Sequence, residues 1–195
     1  MLRAAPWRAL VGTAGGGLLL GVLALVASRP VAVVVLQLSW IVLAAGCALA
    51  LDEPAAAAVD ACPVGRGRQL AVRATAAAVP VTGGLLALLL HEQRSWRLAL
   101  QLLGCCVLGF TAAALLRTRL DEPGEPVAVA LLALLAPLAV YAPLGRRLPL
   151  FRTTDTGALL WAGVLAASAL SLASTGCNGS WRSWVPRPPA SPTSA

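Results

Sequence analysis

The sequence predicts an all-α fold: a polytopic membrane protein built as a bundle of six transmembrane helices. Composition is the first observation, because 58% of the 195 residues are hydrophobic and only 12% are charged, too few to give a soluble domain of this length a polar shell. The second is a mean hydropathy of +0.81. The third is the recurrence of apolar runs near the length of about 20 residues that a helix needs to cross the hydrocarbon core.

Six apolar runs are the predicted spans, and they form one transmembrane domain over residues 1–173. In chain order they cover residues 9–27, 31–51, 70–90, 98–116, 127–144 and 157–173. The first run follows Arg3 and Arg8, as in a signal peptide. It is longer than a signal-peptide core and further spans follow, which favours a retained anchor. The third run contains Pro80, and the fifth and sixth runs are the shortest.

The C-terminal tail, residues 174–195, differs in composition from the spans. It is rich in serine, proline and tryptophan and ends in WRSWVPRPPASPTSA. Trp181 and Trp184 suit the headgroup layer of a membrane. We expect the rest of this tail to be largely disordered, because it has too few apolar residues to form a core.

The charge distribution predicts an orientation in the membrane. The net charge of +7 comes from fifteen arginines, since the chain has no lysine. These arginines lie in loops and at span ends, as in a protein that contacts anionic lipid headgroups and not nucleic acid. With the N-terminus inside, nine arginines lie in the inner segments and six in the outer ones. We therefore expect a multi-pass protein of the cell membrane with both termini in the cytoplasm.

The spans lack the groups that chemistry inside a membrane requires. No Asp or Glu lies within the six runs, which weighs against an ion-coupled carrier and against an intramembrane enzyme. Cys47, Cys105 and Cys106 lie in apolar runs, where cysteine acts as a small hydrophobe, and no Cys/His spacing indicates a metal site. We expect no catalytic residue, no metal and no cofactor. Gln37, Ser39 and Gln101 are expected to hydrogen-bond neighbouring helices.

The tetrapeptide LDEP occurs twice, at residues 51–54 and 120–123, each time directly after an apolar run. In the first copy, Asp52 or Glu53 can cap a helix start, and Pro54 suits its first turn. Four alanines then favour helix, and a proline and a glycine end it. The result is a helix of about eight residues, which is too short to span a membrane. The second copy, LDEPGEP, has room only for a tight loop.

Six spans, an inner N-terminus and a short helix between spans two and three resemble the membrane subunit of an ABC-2 type transporter. The stretch LDEPAAAAVDACP followed by GRGRQLAVR is similar to ABC permease-like membrane proteins of actinobacteria, and arginine without lysine fits such a GC-rich source. The resemblance implies that the first inner loop is a coupling helix on a cytoplasmic ATP-binding subunit and that the second loop makes a lesser contact. The residues it places at these contacts are Asp52, Glu53, Pro54 and Asp60 in the first loop, and Asp121 and Glu122 in the second.

The function that this resemblance implies is that of a permease-like subunit of an ATP-driven exporter. The chain holds no G-x-x-x-x-G-K-[ST] loop, so ATP would bind a separate chain. Six helices are few for a closed path through the bilayer, so we expect a homodimer or a heterodimer. The alternative is a non-transporting membrane scaffold or regulator that binds a partner through its loops. Whether the bound partner is an ATPase discriminates between the two.

Overall fold

The computed structural model describes residues 7–52, 66–90, 95–117, 119–120, 122–140, 151 and 154–182. These residues form six α-helices, and no strand occurs among them, which confirms the all-α prediction. The helices are α1 (Trp7–Val26), α2 (Arg29–Leu49), α3 (Arg66–Leu90), α4 (Trp96–Leu116), α5 (Gly124–Val140) and α6 (Asp155–Arg182).

Five of these helices, all except α5, are long and apolar enough to cross a membrane. The chain is therefore a membrane protein with several transmembrane helices. Helix α5 has 17 residues in the described part of the chain, and residues 141–144 of its predicted span lie outside it. Helix α6 extends past residue 173, where the predicted span ends, and continues to Arg182. Of the tail, residues 183–195 lie outside the described chain.

Serine residues mark two of the helix starts. Ser28 precedes α2 in extended conformation, and Pro30 occupies the first turn, where a missing N–H costs nothing. Ser95 precedes α4, and its hydroxyl accepts a hydrogen bond from the Arg97 amide at 3.3 Å. At the same end, Arg97 also pairs with Asp155, the first residue of α6, at 2.6 Å. Helices α4 and α6 therefore begin side by side.

Helices α2 and α4 form the centre of the bundle. Within the span residues, 67% of α2 and 61% of α4 are buried, against 22% of α6. Helix α2 packs against α1, α3, α4 and α5, and α4 packs against α2, α3, α5 and α6. Helix α6 packs mainly on α4. Most of the surface of α1 and α6 is therefore left for the hydrocarbon of the membrane.

Two glycines of α4 allow the close packing at this centre. A Cβ atom at Gly109 would collide with the backbone oxygen of Ala44 on α2, and one at Gly104 would collide with the ring of Trp161 on α6. Trp161 is 1% exposed, so its indole fills the space above Gly104. A side chain at either glycine would push α4 away from its neighbours.

Two of the three polar residues predicted to bond neighbouring helices, Gln37 and Ser39, donate hydrogen bonds that the structure describes. The Ser39 hydroxyl donates to the Gly17 carbonyl of α1 at 2.9 Å, as expected for a contact between neighbouring helices. The Gln37 amide donates to the carbonyl of Phe151 at 2.6 Å, a residue that lies outside the helices. The bond from Gln37 therefore holds Phe151 against α2.

Candidate functional site

The two LDEP segments meet in the folded chain. Asp52, three residues beyond the end of α2, accepts hydrogen bonds from the first two amides of α5. Its Oδ1 accepts from the Gly124 amide at 2.6 Å, and its Oδ2 accepts from the Glu125 amide at 3.0 Å. The first bond joins residues 72 positions apart in the sequence. The aspartate of the first LDEP therefore caps the helix that starts directly after the second.

Glycine at position 124 makes this contact possible. A Cβ atom there would lie 2.5 Å from Oδ2 of Asp52 and 2.6 Å from the backbone oxygen of Ala48, closer than real Cβ atoms approach. The first amides of a helix have no partner inside the helix, and its N-terminus carries partial positive charge. A carboxylate at this position satisfies two of these amides and faces the favourable end of the helix dipole.

Two arginines hydrogen-bond the backbone just after the C-terminal end of α2, next to Asp52. The Leu51 carbonyl accepts a hydrogen bond from Nη1 of Arg117 at 2.5 Å and a long one from Nη1 of Arg73 at 3.4 Å. Arg73 belongs to α3, and Arg117 directly follows α4. Carbonyls at a helix C-terminus lack partners and carry partial negative charge, so guanidinium groups stabilise them. We call Leu51, Asp52, Arg73, Arg117 and Gly124 the LDEP junction.

The junction ties one end of four helices together. It brings the C-terminal ends of α2 and α4 to the N-terminal part of α3 and the first turn of α5. The loops from α2 to α3 and from α4 to α5 therefore lie at the same end of the bundle, as alternating spans require. The Arg97–Asp155 pair lies at the start of α4 and α6, the opposite end of α4.

Burial shifts the ionisation of the junction carboxyl. Asp52 is half-buried, and the loss of hydration on burial is the largest influence, raising its pKa above the ordinary value. The hydrogen bonds from the Gly124 and Glu125 amides act in the opposite direction, and the nearby carboxylates of Glu122 and Glu125 raise the pKa further. The net result is a raised pKa for Asp52.

The structure describes two of the six residues predicted to contact a partner. Asp52 lies in the junction, and Glu122 is exposed beside it, near enough to raise the pKa of Asp52. Glu53, Pro54, Asp60 and Asp121 lie outside the described residues. The prediction that these six residues contact an ATP-binding subunit stays a prediction. For Asp52, the structure shows a role inside the fold as well.

Sequence reasoning missed three members of the junction: Arg73, Arg117 and Gly124. A signal for Arg73 existed, because it lies inside the third predicted span, 70–90, and is only 9% exposed in the fold. An arginine within a span is costly and requires a partner. Gly124 gave no such signal, since a glycine in a loop reads as an ordinary turn residue. The side chain that excludes any larger residue at 124 comes from the distant position 52.

The junction holds the ends of four helices together. In the described part of the chain, no three His, Cys, Asp or Glu side chains come together as metal ligands would. No family model matches the chain, and neither a curated protein nor a solved structure matches it. The resemblance to ABC-2 membrane subunits therefore stays an expectation from the sequence.

Proposed function

We propose that the protein is the membrane-spanning, permease-like subunit of an ATP-driven exporter. Its two loops at the junction end would face the cytoplasm and contact a separate ATP-binding subunit, and both termini would be cytoplasmic. The observation that carries this proposal is the double hydrogen bond from the start of α5 to Asp52, because it joins the residue that precedes the first loop to the residues that follow the second.

The proposed mechanism follows the bonds of the junction. Asp52 is the residue at which the first inner loop begins, so a force on that loop reaches the carboxylate directly. From there it passes to the first turn of α5 through the Gly124 and Glu125 amides. The same force would reach α3 and α4 through the hydrogen bonds that Arg73 and Arg117 donate to the Leu51 carbonyl. A partner that displaces one short loop would therefore move the ends of four helices.

A pull-down tests this proposal. The tagged protein is purified from native membranes in mild detergent, and the co-purifying chains are identified and assayed for ATP hydrolysis. We expect one ATP-binding chain in stoichiometric amount. A Glu53→Arg/Asp60→Arg variant should lose it, because both substitutions reverse the charge of the proposed contact without changing Asp52.

The matched control is Thr156→Arg, which adds an arginine at an exposed position at the opposite end of the bundle. It should retain the ATP-binding chain. If no ATPase co-purifies, or if the loop variant retains it as fully as the control does, the coupling proposal is wrong.

A second candidate function is a non-transporting membrane scaffold or regulator. The observation that favours it is that both carboxylate oxygens of Asp52 are engaged within the fold, so its presence needs no partner to explain it. This candidate predicts that the chain that binds the loops has no ATPase activity. It also predicts that loss of the bound chain leaves ATP-dependent export from the cell unchanged.

A further inference from the structure

Two cysteines of the central helices meet inside the bundle. Cys47 of α2 and Cys106 of α4 are both buried, and both belong to the apolar core to which α1, α2, α3 and α4 contribute. The Cys106 side chain is a hydrogen-bonding partner of the Cys47 thiol. Both residues are free thiols. Two nucleophilic groups therefore face each other across the interface between the two central helices.

The packing around Gly84 of α3 explains why these two positions coincide. A Cβ atom at Gly84 would lie 2.7 Å from Cδ1 of Leu102 and 2.8 Å from Cδ1 of Leu43, so the two leucines converge on one point. Helices α2 and α4 run in the same direction, because the C-terminal ends of both lie at the LDEP junction. Cys47 and Cys106 each follow one of these leucines by four residues, about one helical turn. They therefore occupy equivalent positions on the facing sides of α2 and α4.

The backbones of α2 and α4 also come close beside the cysteine pair. Gly109, three residues after Cys106, packs directly against the backbone oxygen of Ala44, three residues before Cys47. A disulfide requires Cα atoms about 4.4–6.8 Å apart. The axes of packed helices usually lie about 8–10 Å apart, and small residues at the contact permit a closer approach. The Gly109 contact therefore supplies the approach that a disulfide between the two helices needs.

The neighbouring cysteine of α4 differs from Cys106 in its surroundings. Cys105 is also buried, but it belongs to the other apolar core cluster, together with Ala48 of α2 and Trp161 of α6. Successive residues of a helix point about 100° apart, so the two adjacent thiols cannot both face Cys47. Cys105 is therefore a cysteine of equal burial outside the pair.

The surroundings of the pair favour a neutral product of oxidation. The Cys47 thiol donates to the Ala77 carbonyl of α3 at 3.7 Å, and the core cluster that holds both cysteines consists of apolar residues. A disulfide carries no charge and has no donor that requires a partner, so such a core accommodates it. Glutathione and thioredoxin, the hydrophilic agents that keep cytoplasmic thiols reduced, have no direct access to side chains this deeply buried. A disulfide formed here would therefore persist while the bundle stays folded.

We propose that Cys47 and Cys106 are a modification site, at which a small uncharged peroxide forms an intramolecular disulfide that joins α2 to α4. One sulfur attacks the peroxide, the O–O bond breaks, one water leaves and a sulfenic acid remains. The second sulfur attacks the first, the S–S bond forms and a second water leaves. Two thiols and one hydrogen peroxide thus give one disulfide and two waters. The bond closes a loop that contains all of α3. This inference does not depend on the transport proposal.

The test uses the full chain with Cys62→Ser and Cys177→Ser, reconstituted into phosphatidylethanolamine/phosphatidylglycerol vesicles and treated with hydrogen peroxide. After the peroxide is removed, the chain is unfolded in detergent, and its free thiols are counted by maleimide labelling and mass spectrometry. We expect the count to fall from three to one, with a cross-linked pair of peptides that contain Cys47 and Cys106. Reduction of the unfolded chain should restore all three thiols. If the two cysteines are only small apolar packing residues, the count stays at three, and the proposal is wrong. Thiols that reduction does not restore, or a disulfide between two chains, would also overturn it.

Cys105→Ala and Cys106→Ala are a matched pair, because they remove adjacent, equally buried thiols of one helix. In the same background, Cys105→Ala should still form the disulfide, so that both remaining thiols are lost. Cys106→Ala should keep both of its remaining thiols. If Cys105→Ala prevents the loss and Cys106→Ala does not, the disulfide joins a different pair and the assignment to Cys106 is wrong.

Thermal unfolding tests whether the disulfide fastens the two helices. The temperature of unfolding of the peroxide-treated chain should rise by about 5 °C or more, because the closed loop restricts the unfolded state. Cys106→Ala, treated in the same way, should show no rise. A hydrophilic phosphine reductant added to the folded, oxidised protein should leave the disulfide intact and should cleave it after unfolding. A disulfide that forms without raising the temperature of unfolding would contradict the fastening of α2 to α4.

Discussion

At the scale of single residues, Asp52 experiences two opposed effects. Hydrogen bonds from the Gly124 and Glu125 amides favour its charged form, while burial and the carboxylates of Glu122 and Glu125 disfavour it. Burial is the largest of these influences, and the pKa of Asp52 is raised. The carboxylate that fastens α5 is therefore sensitive to pH.

The raised pKa predicts how Asp52 makes stability depend on pH. Because the folded protein binds this proton more tightly than the unfolded chain does, the contribution is fully present below the unfolded pKa and is lost as pH rises through the folded pKa. The free energy of unfolding of the wild type, relative to Asp52→Asn, should therefore increase as pH falls from 7 toward 4. Unfolding in mixed micelles at several pH values measures it. A difference that stays constant or decreases would contradict the assigned shift.

Arg117 and Arg119 form a matched pair for a second test. Arg117 donates to the Leu51 carbonyl, whereas Arg119, two residues further on, is exposed. Arg117→Ala should lower the free energy of unfolding by about 1–2 kcal/mol, because it leaves a helix-terminal carbonyl with one donor fewer. Arg119→Ala should change it by less than about 0.5 kcal/mol. Equal effects of the two substitutions would show that the bond to Leu51 contributes nothing.

At the scale of elements, the start of α5 is closely packed and hydrogen-bonded. Gly124 packs directly against Asp52 and the Ala48 carbonyl, so α5 meets α2 without an intervening side chain. Helix α6 is the opposite case. It packs mainly on α4, and only 22% of its span residues are buried. Helices α5 and α6 thus differ in how firmly the rest of the bundle holds them.

Gly124→Ala tests the constraint on α5. The added methyl would collide with Oδ2 of Asp52 and with a backbone oxygen that cannot rotate away. We expect a loss of about 1–3 kcal/mol in the free energy of unfolding. Gly163→Ala is the control, since its Cβ meets nothing and alanine favours helix. If Gly124→Ala is as stable as this control, α5 does not approach α2 as closely as described.

At the scale of the whole molecule, the bundle has two central helices and a fastening at each end. Helices α2 and α4 hold the core, and the LDEP junction joins four helices at one end. At the start of α4, the Arg97–Asp155 pair joins α4 to α6. Helix α5 is held at its first turn by Asp52, and its packing on α2 continues along the core.

The sequence predicts the features that depend on neighbouring residues, and it does not predict contacts between residues far apart in the chain. Hydropathy is local, so the all-α class and the positions of the spans follow from the sequence, apart from the extension of α6 to Arg182. The capping role of Asp52 also follows, but its partner does not. The sequence places Asp52 or Glu53 before a helix of the same loop, whose residues lie outside the described chain, and it gives no sign that Asp52 caps α5, 72 positions away. Such a pairing depends on how α2 and α5 pack, which no local pattern records.

The most direct test of the central claim, that Asp52 joins the two LDEP segments, is amide hydrogen exchange of Gly124 and Glu125 in the membrane-reconstituted protein. Both amides should be protected in the wild type, because the carboxylate of Asp52 accepts from each of them. In Asp52→Ala they should exchange faster, while the amides in the centres of α2 and α4 keep their protection. Equal exchange of these two amides in the wild type and in Asp52→Ala would contradict the junction.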